Sequence, residues 1–147
     1  MNLVLTGSTS GIGWETLLAL LPKFDKVFLP VRNLAKAEKM IQHLPQKEKI
    51  VLIYLDLSNL ASVREGAAAI LSQVDAIHVL INNAGFAVYG SIEDVTMEEA
   101  RSQFEVNIFG LARLTKEVLP TMRAQMNGKI INVSSVGGKI YTPFGAW

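Results

Sequence analysis

Apolar residues along the chain fall into five short runs, separated by longer segments in which apolar and polar positions alternate at helical spacing. Most of the runs are continuously apolar, which is typical of strands with both faces buried in a parallel sheet. The predicted strands cover residues 3–6, 27–31, 50–55, 77–81 and 129–133. Pro30 is unusual inside the second strand, because proline cannot donate a hydrogen bond to a sheet. The alternation predicts one α/β domain over residues 1–147, with a doubly wound parallel sheet of order 3-2-1-4-5.

Residues that commonly cap helices occur in the segments between the predicted strands. Asn33 is expected to cap the second helix, and Asp56 with Ser58 to open the third. Thr96 and Glu99 have the spacing of a capping box, which predicts the start of the longest helix.

The longest helix is expected to carry an apolar stripe and to end at a glycine. Asn127 and Gly128 are the predicted end, and Pro120 predicts either a kink or an earlier end. The stripe consists of Phe104, Ile108, Leu111 and Val118.

Composition narrows the function classes. A net charge of +1 argues against broad electrostatic binding to nucleic acid or to anionic lipid. The chain has no cysteine, which excludes disulfides and thiolate zinc sites, and His43 and His78 have no partner at metal-ligand spacing. No signal peptide is visible and the apolar runs are too short to span a bilayer, so we expect a cytoplasmic protein without a metal site.

The segment with the clearest chemistry follows the first strand. It reads Thr6-Gly7-Ser8-Thr9-Ser10-Gly11-Ile12-Gly13, with glycines in a G-x-x-x-G-x-G spacing. Glycine allows a sharp turn and close approach to a pyrophosphate, and the free amides at a helix N-terminus favour negative charge. The segment predicts a dinucleotide site of the Rossmann type, although a purely structural turn is an alternative reading.

The end of the second strand bears on which dinucleotide is preferred. An acidic residue there would accept hydrogen bonds from the ribose of NAD, but the sequence has Arg32 and no carboxylate. A guanidinium suits the 2′-phosphate of NADP, so NADP is the predicted cofactor and NAD the alternative. The competing interpretation of Arg32 is a solvated surface side chain.

Five motifs in order resemble those of the short-chain dehydrogenase/reductase family, and the resemblance covers the whole chain. It corresponds to the N-terminal three-fifths or so of such a domain. The motifs are the turn at 6–13, Asp56-Leu57, Asn82-Asn83-Ala84-Gly85, Asn107 and Asn132-Val133-Ser134-Ser135.

The resemblance implies an oxidoreductase that transfers a hydride between NADP(H) and a small carbonyl or alcohol. It assigns Ser135 and Asn107 to catalysis and places Asp56 and Leu57 at the adenine. The segment Asn83-Ala84-Gly85 is also implied to touch the cofactor. Simpler readings are a helix cap for Asp56, a structural hydrogen bond for Asn107, and a strand end for the serines.

The family's catalytic tyrosine and lysine are not found. Family spacing places the tyrosine one position beyond Trp147, and Tyr141 is followed four positions later by Gly145 instead of lysine. The chain is therefore expected to be C-terminally incomplete, with an uncovered sheet edge. The alternatives are a catalytically incomplete dinucleotide-binding module, acting as a sensor or interaction protein, and a nonfunctional fragment. Family members often form homo-oligomers, which the resemblance implies here as well.

Overall fold

A computed structural model of the protein describes residues 1–140, 142–145 and 147. Tyr141, which is not expected to replace the catalytic tyrosine, lies outside the described residues. Five parallel strands form one sheet in the order β3-β2-β1-β4-β5, which confirms the predicted architecture. The strands differ from their predicted bounds by up to two residues. They are β1 (Asn2–Leu5), β2 (Lys26–Val31), β3 (Ile50–Tyr54), β4 (Val79–Asn82) and β5 (Lys129–Asn132).

In the described ranges, five α-helices connect and cover the strands. They are α1 (Gly11–Leu20), α2 (Leu34–Ile41), α3 (Leu60–Leu71), α4 (Met97–Phe104) and α5 (Leu111–Ala124). A π-helix, Glu105–Gly110, joins α4 to α5, and short 3₁₀ helices lie at Leu21–Lys23, Lys47–Lys49 and Val136–Gly138. None of the helices in the described ranges is long and apolar enough to cross a membrane.

The sheet has a hydrophobic core on each face, which explains the continuously apolar strands. Val4 and Phe28 point into the core that α3 and α5 cover. Their strand neighbours Leu3 and Leu29 point into the core that α1 and α2 cover. Successive side chains of a strand point to opposite faces, so both sets must be apolar.

Pro30 fits because β2 is paired unequally on its two sides. Its pairing with β1 ends at Phe28, whereas its pairing with β3 continues to Val31. Pro30 thus lies beyond the part of β2 that β1 covers, where a missing N–H donor leaves no gap in the β1–β2 ladder.

The predicted start of the third helix is wrong. Its cap is Asn59, whose Oδ1 accepts hydrogen bonds from the backbone N–H groups of Ala61 and Ser62 at 2.9 and 3.1 Å. Asp56 instead accepts from the backbone N and the hydroxyl of Ser58 at 2.9 and 2.7 Å, in a turn before the helix. Asp56 therefore closes the turn between β3 and α3, and Asn59 caps α3.

The predicted caps of α2 and α4 are confirmed. Asn33 Oδ1 accepts from Lys36 N at 2.9 Å. Thr96 Oγ1 accepts from Glu99 N at 3.2 Å, and a Glu99 carboxylate oxygen accepts from the Thr96 hydroxyl and N–H at 2.8 and 3.0 Å. These bonds, the hydroxyl's first, lower the pKa of the Glu99 carboxyl.

The predicted stripe of the longest helix is wrong at two of its four positions, which lie before and within the π-helical turn. Phe104 and Ile108 are exposed, and the buried side chains there are Gln103 and Val106, one and two residues earlier. Leu111 is half-buried. Val118 is buried as predicted. A π-helix holds more residues per turn than an α-helix, so positions before the turn are offset from the α-helical period of those after it.

The predicted end of that helix is also wrong. It ends at Ala124, and the left-handed residue that follows is Met126, with φ +51°, in place of Gly128. Gly128 instead packs closely on Met122, where a Cβ would lie 2.7 Å from the Met122 Cγ and Sδ atoms. Pro120 lies within α5 and does not end it.

β5 forms an edge of the sheet in the part of the chain that the structure describes. It pairs with β4, and most of its residues are exposed, including Ile131. An exposed apolar edge strand is prone to pair with another chain.

Candidate functional site

A cavity of about 560 Å³ opens where the carboxyl ends of β1, β2, β3 and β4 meet. This is the crevice in which doubly wound sheets bind ligands, and the volume lies in the range of small-molecule sites. The lining includes every predicted cofactor-binding residue: Gly7, Ser8, Thr9, Ser10, Gly11, Ile12, Gly13, Arg32, Asp56, Leu57, Asn83, Ala84 and Gly85. It also includes residues that were not predicted: Pro30, Val31, Asn33, Lys36, Leu55, Phe86 and Val106.

Two glycines in the turn have backbone conformations that disfavour other residues. Gly7 and Gly11 have φ values of +65° and +50°. Gly13 is required for a different reason, because a Cβ there would lie 2.0 Å from the Gly7 carbonyl oxygen. The turn therefore brings the N-terminus of α1 against the end of β1, at the wall of the cavity.

The first turn of α1 presents hydrogen-bond donors to the cavity. Its N-cap, Ser10, makes no side-chain capping bond within the described residues. Helix N-termini carry unsatisfied N–H groups and partial positive charge, which suits an anion such as a pyrophosphate. Ser8 adds a buried hydroxyl whose oxygen has no hydrogen-bond partner among the residues that are described.

The Thr6 hydroxyl connects β1 to the segment that follows β4. Buried Thr6 Oγ1 accepts hydrogen bonds from the backbone N–H groups of Asn83 and Ala84, both at 3.0 Å. The Asn83 side chain returns two bonds, from Nδ2 to the carbonyl oxygens of Thr6 and Gly7 at 3.1 and 3.2 Å. The network holds the glycine turn against Asn83. Thr6, predicted only as part of the strand and the glycine motif, therefore also positions these two walls of the cavity relative to each other.

Asn82, the first residue of its motif, ends β4 and lies outside the described cavity lining. Its Nδ2 donates to Thr115 Oγ1 and to Asn132 Oδ1, at 3.1 and 2.9 Å. The side chain therefore joins β4 to β5 and α5, which is a structural role in the sheet.

Charged groups of the cavity lie on its β2 and β3 side. Arg32 follows β2, and Lys36 lies in the first turn of α2. Asp56 follows β3 and is the one carboxylate in the described lining. The missed residue Lys36 could have been found from its position, because it lies on the first turn after the predicted cap Asn33.

Asn107 and Gln103 fix the segment after β4 from the long helix. Asn107 Oδ1 accepts from Phe86 N at 3.1 Å, and its Nδ2 donates to Phe86 O at 2.8 Å. Gln103 Oε1 accepts from Val88 N at 2.5 Å, and its Nε2 donates to Trp147 O at 2.8 Å. The geometry shows the structural bond that was the alternative reading for Asn107, and Gln103 is a partner that the sequence reasoning missed.

Ser135 lies outside the described cavity lining, as does Asn107. Ser135 is exposed, and its Oγ accepts a hydrogen bond from Gly137 N at 3.1 Å. Within the described residues, Ser135 and Asn107 are not in hydrogen-bond contact with each other. Ser134 is exposed as well.

Comparisons with known proteins agree with this architecture. The family model described as short chain dehydrogenase matches residues 2–147. The chain is 34% identical over 146 residues to the 3-ketodihydrosphingosine reductase of Bacteroides thetaiotaomicron, a match that covers 97% of this chain and 49% of that protein. It is 35% identical to dehydrogenase/reductase SDR family member 7B of Mus musculus, covering 96% of this chain and 45% of that protein.

A solved structure with a similar fold carries a bound dinucleotide. The crystal structure of a metagenomic short-chain oxidoreductase in complex with NADP superposes with a TM-score of 0.91 at 27% identity. The match covers 99% of this chain and 67% of that one. The chain spans about half the length of the two relatives described above.

Proposed function

The chain belongs to the short-chain dehydrogenase family, and on that premise we propose that the whole protein is an NADP(H)-dependent oxidoreductase that interconverts a small carbonyl compound and its alcohol. The chain would supply the dinucleotide site and part of the catalytic site. The observation that carries the proposal is the single cavity wall formed by the glycine turn, Arg32, Asp56 and the segment 83–85.

The cavity fits a dinucleotide in its size and its chemistry. The donors at the start of α1 and the buried, unpartnered Ser8 hydroxyl suit a polar anionic ligand. Gly7 and Gly13 remove the side chains that would otherwise fill the approach to the pyrophosphate.

The two ends of the cavity would bind different parts of the cofactor. Arg32 would bind the 2′-phosphate of NADP, and Asp56 with Leu57 would contact the adenine. The segment Asn83-Ala84-Gly85 would lie along the remainder of the cofactor, held in place by Thr6. NAD remains the alternative cofactor, and the positive charge at Arg32 is the reason for preferring NADP.

When bound, the nicotinamide would supply or accept the hydride. The Ser135 oxygen accepts from Gly137 N, which leaves the hydroxyl proton for donation to a substrate oxygen. Asn107 would act by holding the backbone of Phe86 at the cavity wall, through the two bonds described above. The name of the 3-ketodihydrosphingosine reductase supports a carbonyl substrate, although it fixes no particular one for this protein.

Binding is the first test of the proposal. Calorimetry with the purified chain should show binding of NADPH, and Gly13→Ala should abolish it. If neither NADPH nor NADH binds the wild-type chain, the proposed function is wrong. Binding without turnover in the whole protein would instead favour the alternative of a dinucleotide-binding module, and an insoluble or molten chain would favour a nonfunctional fragment.

The catalytic part is tested by two adjacent serines in the whole protein. Across a panel of carbonyl compounds, Ser135→Ala should lower kcat/KM by about a hundredfold, the order reported for loss of one oxyanion donor. Ser134→Ala is the matched control, because it removes the same atom one position away and should leave kcat/KM nearly unchanged. Equal effects of the two changes would contradict the assignment of Ser135.

A cytoplasmic location and a homo-oligomeric state belong to the same proposal and rest on the sequence.

A further inference from the structure

Two loop segments leave the carboxyl ends of β4 and β5, and the second of them contains Ser135. The post-β4 segment comprises residues 83–92, and the post-β5 segment comprises residues 133–140 and 142–145. They begin side by side, because Val133 N donates to Asn82 O at 2.9 Å and extends the pairing of β4 with β5. The substrate carbonyl of the proposed reaction would lie here, at Ser135.

The two segments are also held together farther along the chain. Gly90 N donates to Phe144 O at 2.8 Å, at a parallel bridge between the segments. The buried side chain of Gln103 joins Val88 to Trp147 through the two bonds described above. The backbones of the two segments are therefore fixed relative to each other, although many of their side chains are exposed.

Large apolar side chains are exposed on both segments. Isolated apolar residues are ordinary on a protein surface, but a group of them beside a ligand cavity indicates an apolar ligand. Phe86 connects this group to the dinucleotide cavity, because its side chain is exposed and it also lines that cavity. The group includes Phe86, Tyr89 and Ile92 after β4, and Val136, Ile140 and Phe144 after β5.

Charged side chains are nearly absent from the same two segments. Residues 83–92 contain none, and residues 133–145 contain one, Lys139. Glu93 and Asp94 follow the post-β4 segment directly, and a carboxylate oxygen of Asp94 accepts from the Ser91 hydroxyl at 2.5 Å. An anionic substrate would therefore gain one exposed ammonium group and would be repelled by two carboxylates.

We propose that the substrate is an uncharged ketone or aldehyde with an extended alkyl chain, which lies between the two segments. The inference rests on the proposed function and deepens it by naming the substrate class. In the reaction the carbonyl carbon gains the hydride that NADPH gives up, the carbon–oxygen π bond opens, and the oxygen gains a proton from water. The exposed apolar side chains would cover the alkyl chain, so each methylene that leaves water adds to the binding of the substrate.

A series of ketones, reduced by the whole protein with NADPH, measures this apolar contact. From 2-butanone to 2-octanone, kcat/KM should rise about two- to fourfold per methylene, the order expected when a methylene is partly or fully removed from water. The matched acid, 7-oxooctanoate, has the same number of carbons as 2-octanone and ends in a carboxylate. Its kcat/KM should be lower by about tenfold, because the segments offer a carboxylate little compensation for its lost hydration.

Ile140→Ser tests one side of the proposed contact. Ile140 is more than half exposed, so the fold should tolerate serine there. The change should lower kcat/KM for 2-octanone about fourfold, the effect of about one methylene, and leave kcat/KM for 2-butanone nearly unchanged. A purely structural effect would lower both values equally. Met126→Ser is the matched control, because Met126 is an exposed apolar residue before β5, at the opposite end of the sheet, and it should change neither value.

The outcomes separate failure of this inference from failure of the proposed function. A flat ketone series, turnover of charged carbonyl compounds alone, or a preference for 7-oxooctanoate would overturn the inference and leave the proposed function standing. If that preference were lost in Lys139→Met, the substrate would be an acid bound by Lys139. Equal effects of Ile140→Ser and Met126→Ser on the series would also contradict the inference. If the whole protein reduces no carbonyl compound in this series or in the wider panel, the proposed function itself is wrong.

Discussion

Replacing Thr6 by valine should uncouple the glycine turn from the segment after β4. Valine has nearly the shape of threonine, so the change removes the hydroxyl oxygen and leaves the packing of this buried position in place. The oxygen accepts from two backbone N–H groups, of Asn83 and Ala84, and both would lose their partner.

The expected cost follows from those two donors. A buried donor left without a partner costs about 1–3 kcal/mol. Both donors are only partly buried, so the lower end of that range applies to each, and the total is about 2 kcal/mol. Thr6→Ser is the control, because it keeps the hydroxyl and loses one methyl group, worth about 1 kcal/mol.

Urea unfolding followed by circular dichroism measures both variants, and amide hydrogen exchange reports on Asn83 and Ala84 individually. Thr6→Val should be the less stable variant, and its exchange at these two amides should be faster than in Thr6→Ser. Affinity for NADPH should fall in Thr6→Val, since the two amides belong to the cavity wall. If Thr6→Val is as stable as Thr6→Ser and both amides remain protected, the hydroxyl does not organise the site.

Three further predictions concern the turn, a helix cap and the long helix. Gly13→Ala should destabilise the fold by about 3 kcal/mol, because its Cβ would overlap a backbone oxygen. Gly138→Ala is the control: its Cβ would meet no atom of a described, non-neighbouring residue within 4 Å, so it should be nearly neutral in the same urea assay. The Glu99 cap should depend on pH, because the pKa of the Glu99 carboxyl is lowered in the folded protein. The cap stabilises the protein above the ordinary glutamate pKa of about 4.3, and this stabilisation is lost as pH falls through the folded pKa. The stability difference between wild type and Glu99→Gln should therefore shrink below about pH 4, and a pH-independent difference would contradict the role of the Thr96 bonds. Gln103→Leu should speed amide exchange at Val88, whereas Gln103→Glu, which keeps the accepting oxygen, should retain protection there; equal protection in both variants would show that the side-chain bond is dispensable.

The sheet could be predicted because its signal is local and repeated. Each strand is an apolar run, and parallel order follows from the helical segments between the runs. The cofactor turn could be predicted for a similar reason, since Gly7, Gly11 and Gly13 each meet a steric requirement of the turn itself. The residues of the cavity wall lie directly after strands, where the fold brings them together.

The predictions of helix starts, ends and buried faces were wrong where two local sequence signals compete, or where the helical hydrogen-bonding pattern changes from α to π. Asp56 and Asn59 are both good capping residues, and only the path of the chain after β3 decides that Asn59 caps α3. The glycine rule for helix ends selected Gly128, but close packing on Met122 is what requires glycine there. Gln103 was missed because its partners, Val88 and Trp147, are distant in the sequence.

The π-helix at Glu105–Gly110 has a consequence for changes in chain length. Adding or removing one residue in an α-helix rotates everything beyond it by about 100°. Here the wide turn already contains extra chain, so deleting one of its residues can restore an α-helical turn while α5 stays on its core. α4 would keep its inward face, because the shorter turn restores the α-helical period that relates Gln103 to α5. The cost would fall on the turn itself, where Asn107 bonds to the backbone of Phe86. A sequence related to this one but shorter by a residue in that turn should therefore keep the fold and change the loop beside the cavity.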